Sequence, residues 1–163
     1  MSIFQFLASD KPLEEVKNTC VKFISINEAL ACNIKLGDFI VNDKEIDRNE
    51  RNIMVCDSEE RMEEIEITHD MYYSSEYAKK YSNKQYFSEL HWMYTGTRAK
   101  QLVDYLKEQL NNLDEIEVWS IWLDEYKSPS IKSININELS ITDLEFLNTS
   151  NGYEKPKCLI IKR

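Results

Sequence analysis

The sequence predicts an α+β protein whose C-terminal half forms a ferredoxin-like βαββαβ unit. Residues 85–163 give strand, helix, strand, strand, helix, strand in order, which is the split βαβ arrangement with both helices on one sheet face. The strands at 85–94 and 115–123 carry large aromatic side chains on both faces, and an uncovered face would expose a large apolar patch. We therefore expect the N-terminal α/β half, residues 1–84, to pack on this sheet, so that residues 1–163 form one compact domain.

Chain length and composition agree with a single folded domain. The chain has 163 residues, 42% of them hydrophobic, which is enough to bury a core without disulfides or metals. Three glycines and three prolines are too few for a loop-rich or disordered chain. We expect no disordered domain or long linker.

The N-terminal half contains short apolar runs separated by polar segments. Predicted strands occupy residues 3–7, 21–24, 53–56 and 65–71, a predicted helix occupies 28–34, and 42–52 is a predicted loop. Ser25 and Glu28 have the spacing of a capping box, in which each side chain bonds the backbone N–H of the other. Gly37 is placed to end the helix in a left-handed conformation. Residues 71–82 are rich in tyrosine and fit either a helix or a loop.

One amphipathic helix dominates the C-terminal half. Its apolar positions recur at helical spacing and comprise Ala99, Leu102, Val103, Leu106 and Leu110. We predict a helix over residues 98–111, and a second, shorter helix over 141–147 that begins after Ser140. Strands are predicted at 85–94, 115–123, 131–136 and 157–162. Since the helix leads directly into strand 115–123, we expect Leu106 to contact Trp119 and Ile121.

The formal net charge of −9 excludes several classes of partner. No basic stripe is present for a phosphate backbone, and an acidic surface disfavours anionic membranes. The first residues lack a basic start, and no apolar run approaches the ~20 residues that span a bilayer. We expect a cytoplasmic protein that binds neither nucleic acid nor membranes. Acidity is compatible with solubility alone or with a basic partner protein.

Cofactor and metal motifs are absent from the sequence. Glycine-rich phosphate loops, zinc-binding histidine pairs and nucleophile elbows do not occur, and the two histidines and four cysteines lack metal-ligand spacing. We expect no cofactor and no metal. Cys20, Cys32, Cys56 and Cys158 each lie in an apolar run, which indicates buried free thiols.

Three segments of the C-terminal half carry a resemblance to a known family. They are EIEVWSIWL at residues 115–123, INEL at 136–139 and CLII at 158–161. Together they resemble a family of small acidic proteins of low-GC Gram-positive bacteria that has no established activity. The resemblance implies no catalytic residue.

Glu89 and His91 are the best candidates for chemistry. On a strand, residues two apart project from the same face, about 7 Å apart. A carboxylate beside an imidazole can fix its tautomer, as a general base requires. The alternative is a solvated sheet edge with no catalytic role.

Aromatic side chains are the candidates for binding. The chain has three tryptophans and a tyrosine-rich segment, and such residues are enriched where proteins bind partners or apolar ligands. The set comprises Trp92, Trp119, Trp122, Tyr72, Tyr73, Tyr77, Tyr81, Tyr86 and Tyr94, of which Trp92, Trp122, Tyr86 and Tyr94 are the predicted binding residues. Core packing is the alternative.

Two functions follow from these candidates. The first is a non-catalytic binding protein, of immunity or regulatory type, for a basic protein or a small apolar ligand. The second is a small enzyme that uses His91 and Glu89 as an acid–base pair on an aromatic-lined sheet face.

Overall fold

The computed structural model describes residues 3–56, 58, 60–71, 75–123, 127–149 and 155–163. These residues form eight strands and five α-helices. The strands are β1 (Ile3–Ser9), β2 (Val21–Ile24), β3 (Ile53–Cys56), β4 (Glu66–Thr68), β5 (Tyr86–His91), β6 (Glu115–Trp122), β7 (Ser130–Asn135) and β8 (Lys157–Lys162). The helices are α1 (Ile26–Ala31), α2 (Asp38–Val41), α3 (Ser75–Lys79), α4 (Gly96–Gln109) and α5 (Ile141–Leu144), with 3-10 helices at Glu60–Glu63 and Glu145–Leu147.

The chain divides into two compact units. The larger unit comprises Met1–Lys17 and Glu63–Arg163, and the smaller unit is Asn18–Met62. This division does not coincide with the predicted halves, 1–84 and 85–163, and the packing of the chain as one domain stays a prediction.

A six-stranded sheet forms the centre of the larger unit. Its strand order is β4-β5-β1-β6-β8-β7, and every neighbouring pair is antiparallel except β7 and β8, which are parallel. Phe6 lies opposite Glu89 on one side of β1 and opposite Trp119 on the other. Nearly all of β1 is buried, as expected for a central strand with apolar residues on both faces.

The mixed α and β composition agrees with the prediction, but the ferredoxin-like arrangement is not confirmed. The elements of residues 85–163 occur in the predicted order. However, β1 lies between β5 and β6, and β7 pairs in parallel with β8 at the edge of the sheet. The sheet therefore has six strands, and its most buried strand comes from the start of the sequence.

Both helices of the C-terminal half pack on one side of the sheet, here called the first face. Leu106 of α4 and Leu144 of α5 belong to one buried core with Leu7, Val118 and Leu159 of the sheet. This placement confirms the prediction that the two helices share a face. The Thr95 hydroxyl caps α4 by accepting a hydrogen bond from the backbone N–H of Arg98 at 3.2 Å.

The opposite side of the sheet, here called the second face, carries a separate aromatic core. Its buried members are Phe4, Phe6, Ala8, Ala78, Trp119, Ile121 and Cys158. The predicted contacts of Leu106 with Trp119 and Ile121 are therefore wrong, because those residues lie across the sheet from α4. Successive strand residues alternate between faces, and Leu106 shares its core with Ile116 and Val118 instead.

A two-stranded antiparallel sheet and two short helices form the smaller unit. Strand β2 pairs with β3, with Phe23 opposite Met54. The predicted capping box is present at α1: the Ser25 hydroxyl accepts from the Glu28 N–H at 3.1 Å, and Glu28 accepts from the Ser25 N–H at 2.8 Å. The left-handed residue after α1 is Asn33, with φ of 57°, whereas Gly37 is extended and precedes α2. The prediction that Gly37 ends the helix is therefore wrong.

None of the helices within the described ranges has the length and apolar character needed to cross a membrane.

Candidate functional site

A groove of about 420 Å³ lies on the second face of the sheet. We call it the second-face groove. It is bordered by the segment that precedes β5 and by strands β6, β8 and β7. Its chemically notable lining residues are Asp10, Lys84, Glu115, Glu117, Trp119 and Ile131.

One wall of the second-face groove is an ion-pair network around Lys84. The Lys84 ammonium lies 2.7 Å from the Asp10 carboxylate and 3.0 Å from that of Glu115, and Lys162 lies 3.6 Å from Glu115. Burial, the largest single effect, lowers the pKa of Lys84, but the hydrogen bonds to Asp10 and Glu115 together outweigh it and raise the pKa. Lys84 is therefore a fixed cation and cannot serve as a neutral amine nucleophile.

Two lining residues of the second-face groove, Glu117 and Trp119, are joined by a hydrogen bond from a buried indole to a carboxylate. Trp119 is 3% exposed, and its Nε1–H donates to Oε2 of Glu117 at 2.7 Å. The indole ring stacks on the Phe6 ring with centroids 5.9 Å apart, and the centroid of the Tyr81 ring lies 5.6 Å from that of the indole. Aromatic contacts on the indole ring leave Trp119 little freedom, and the carboxylate it holds has a defined orientation.

Cys158 lies directly opposite Trp119 on β8 and is fully buried. Burial raises the pKa of the Cys158 thiol, and the charges of Glu117 and Glu115 raise it further. The raised pKa favours the protonated thiol, and full burial keeps it from solvent, so the site offers Cys158 no support as a nucleophile.

All four cysteines are free thiols, as predicted, but they differ in exposure. Cys20 is buried like Cys158, Cys56 is partly exposed and Cys32 is exposed. The expectation of a buried thiol is wrong for Cys32, because the apolar run that contains it continues past the end of α1 onto the surface.

The structure brings the predicted acid–base pair together on β5. Nε2 of His91 lies 3.3 Å from Oε1 of Glu89. The Glu89 side chain is 5% exposed, whereas that of His91 is 53% exposed. Neither residue lines the second-face groove, and their catalytic role stays a prediction.

The four predicted binding aromatics do not form one surface. Trp92 is buried in the first-face core, where the centroid of the Tyr94 ring lies 6.2 Å from the centroid of the Trp92 ring. Tyr86 is 43% exposed at the other end of β5, about 20 Å from Trp92 at the ordinary rise of a strand. Trp122 lies at the end of β6 and is partly exposed. The predicted Tyr72 and Tyr73 lie outside the described residues.

The described residues contain no cluster of side chains suited to bind a metal ion. Within the ranges that the structure describes, no group of three or more His, Cys, Asp or Glu side chains could hold a metal ion.

We compared the chain with protein-family models, with curated proteins and with solved structures, and it matches none of them. The family resemblance of residues 115–161 stays a hypothesis.

The second-face groove contains residues that the sequence did not single out, among them Asp10, Lys84, Glu117 and Ile131. They are far apart in the sequence and meet because β1 lies next to β6 and β6 lies next to β8. One local signal was present for Glu117 and Trp119, since residues two apart on a predicted strand share a face.

Proposed function

We propose that this protein is a non-catalytic binding protein that recognises a basic partner protein through the second-face groove. The observation that carries the proposal is the lining of the groove, which contains three carboxylates, from Asp10, Glu115 and Glu117, and one cation, Lys84. The net charge of −9 supports the same partner, because complementary charge steers association. An immunity-type or regulatory role is consistent with a protein that acts by binding.

The same lining argues against the small apolar ligand considered from the sequence. Such a ligand would cover the Glu117 carboxylate, which forms no ion pair with a described cationic side chain, without giving it a counter-charge, and an unpaired buried charge is costly. A basic protein would bring a cation to Glu117 and apolar contact to Ile131, which is 58% exposed.

Location and other partners belong to the same proposal. Four free thiols fit a reducing, cytoplasmic location. The acidity of the chain speaks against binding of nucleic acid or anionic membranes.

Fluorescence anisotropy with two labelled peptides tests this proposal. One peptide alternates Arg with Ile, and the other alternates Glu with Ile. We expect the wild-type protein to bind only the basic peptide, with an affinity that falls as salt rises. The variant Ile131→Arg places a cation at the groove and should weaken binding.

Met93→Arg is the matched control, because Met93 is 70% exposed, lies outside the groove and receives the same charge. It should weaken binding less than Ile131→Arg does. Equal losses in both variants, or no binding of the basic peptide by the wild type, would contradict the proposal.

A second candidate function, acid–base catalysis by His91 and Glu89, is supported by one observation. A largely buried carboxylate lies 3.3 Å from an accessible imidazole, which is the geometry that orients a general base. Hydrolysis of chromogenic carboxylate and phosphate esters tests it. His91→Gln should abolish any activity, whereas His69→Gln, which changes an exposed histidine elsewhere, should not. Equal activity of the two variants and the wild type would contradict it.

A further inference from the structure

Glu117 differs from the other carboxylates of the second-face groove in having no ionic partner. Asp10 and Glu115 share Lys84, and Glu115 also meets Lys162. Glu117 forms no ion pair with any cationic side chain of the described residues, and its single hydrogen bond there comes from Trp119. The negative charge of Glu117 is therefore available to pair with a cationic group outside the described residues.

The Glu117 carboxylate is also positioned in advance. Oε2 accepts the Trp119 indole N–H at 2.7 Å, and Phe6 and Tyr81 contact the indole ring. No hydrogen bond from the described residues reaches Oε1. A carboxylate oxygen can accept more than one hydrogen bond, so both oxygens can still receive donors. Because its orientation is already set, binding a cation there requires little additional ordering.

Apolar side chains lead from the edge of the sheet to this carboxylate. Ile160 of β8 lies directly opposite Glu117, and Ile131 of the edge strand β7 lies opposite Cys158, one pair further along the same face. Ile131 is 58% exposed, so this path is accessible from solvent. A long side chain with an aliphatic stem and a cationic head matches the path, with its stem on the isoleucines and its head at Glu117.

We propose that Glu117 receives one arginine side chain of the partner protein, inserted over Ile131 and Ile160. The proposal rests on the proposed function of the second-face groove and names the partner's contact. Arginine suits the site better than lysine, because its planar guanidinium can donate to both carboxylate oxygens and is more weakly hydrated. The partner therefore presents a basic side chain flanked by apolar residues.

An NMR titration tests this proposal. The probes are the capped tripeptide Ile-Arg-Ile and its citrulline counterpart, which has nearly the same shape but no charge; Ile-Lys-Ile is a third arm. The indole N–H resonance of Trp119, assigned by its loss in Trp119→Phe, reports on the hydrogen bond to Glu117. We expect the arginine peptide to shift it saturably, the lysine peptide to bind more weakly, and the citrulline peptide to bind about tenfold more weakly, since a charged hydrogen bond is lost.

Glu117→Gln keeps an oxygen for the indole N–H but removes the charge, and should also weaken arginine binding about tenfold. Asp104→Asn removes the same charge from an exposed position of helix α4 and should change affinity by less than about twofold. Equal binding of the arginine and citrulline peptides would overturn the proposal, as would unchanged affinity in Glu117→Gln. If Ile131→Arg still weakens the longer basic peptide in that case, only the role of Glu117 fails and the proposed function stands.

Discussion

Leu106 lies at the centre of the buried stripe of α4 and has no exposed surface. Truncation to alanine removes buried methyl groups and leaves a cavity in the first-face core, to which Ile116 and Val118 also belong. We expect Leu106→Ala to lower the free energy of unfolding by roughly 2–5 kcal/mol, measured by urea denaturation.

Lys107, the next residue, is exposed on the other side of the same helix. Lys107→Ala is the matched control and should change the free energy of unfolding by no more than about 0.5 kcal/mol. If Leu106→Ala unfolds at the wild-type urea midpoint, the packing of α4 described above is incorrect.

Thiol reactivity should follow exposure at the four cysteines. In the folded protein, Cys32 is exposed and should react fast with an aromatic disulfide reagent, whereas buried Cys158, whose pKa is raised, should not react. Cys32→Ser should remove the fast phase. After unfolding without reductant, the wild type should titrate as four thiols; a smaller number would indicate a disulfide.

At the scale of elements, the start of α5 is fixed by the Asp143 carboxylate. Oδ2 accepts the Ser140 hydroxyl at 2.6 Å and the Ser140 N–H at 3.0 Å, while Lys132 lies 2.9 Å from Oδ1. The Ser140 hydroxyl, the Lys132 ammonium and the Ser140 N–H lower the pKa of Asp143 to about 2, from an ordinary value of 3.8. Because the folded-state pKa is depressed, this stabilisation is complete above pH 3.8 and is lost as pH falls towards 2.

Asp143→Asn should therefore lower the free energy of unfolding by about 1 kcal/mol at neutral pH, a typical value for a lost cap. The difference from the wild type should shrink as pH falls below 3.8, measured by urea denaturation across that range. Asp104→Asn on α4 is the control and should differ from the wild type by about 0.5 kcal/mol or less at neutral pH. A deficit for Asp143→Asn that stays constant at low pH would contradict the role assigned to this carboxylate.

Local sequence patterns predicted most helices and strands, but they did not predict which side chains of strand β6 point toward helix α4. The helical spacing of α4 and the capping residues of α1 act within a few residues, so the sequence predicts them directly. Strand β6 is apolar on both faces, and alternation alone cannot tell which face meets a helix. That is why Leu106 was predicted to contact Trp119 and Ile121.

At the scale of the molecule, the two units should differ in local stability. The smaller unit has a sheet of two four-residue strands, and two-stranded sheets are marginally stable in water. Phe23 and Met54, which face each other in that sheet, are 56% and 52% exposed. We expect faster amide hydrogen exchange in β2 and β3 than in β1 and β6, measured by mass spectrometry on the intact protein. Equal protection would contradict this expectation.

Neither the strand order nor the second-face groove could be predicted from the sequence, and both for the same physical reason. Pairing of β1 with β5 and β6 joins residues that are distant in the sequence, and nothing in their local pattern encodes which strands meet. The groove depends on those pairings, since it brings Lys84 to Asp10 and Glu115. Glu89 and His91 were found from the sequence because they lie two residues apart on one strand.

The central position of β1 has a consequence for biosynthesis. The ribosome completes β1 at Ser9, long before its two neighbours begin at Tyr86 and Glu115. Until both have left the exit tunnel, the apolar side chains of β1, such as Phe4 and Leu7, lack their final neighbours. The nascent chain therefore exposes an apolar segment without its strand partners while the residues between Ser9 and Glu115 are made, and we expect chaperones to bind it during that time. A chain that stops before Glu115 leaves one edge of β1 open and should aggregate.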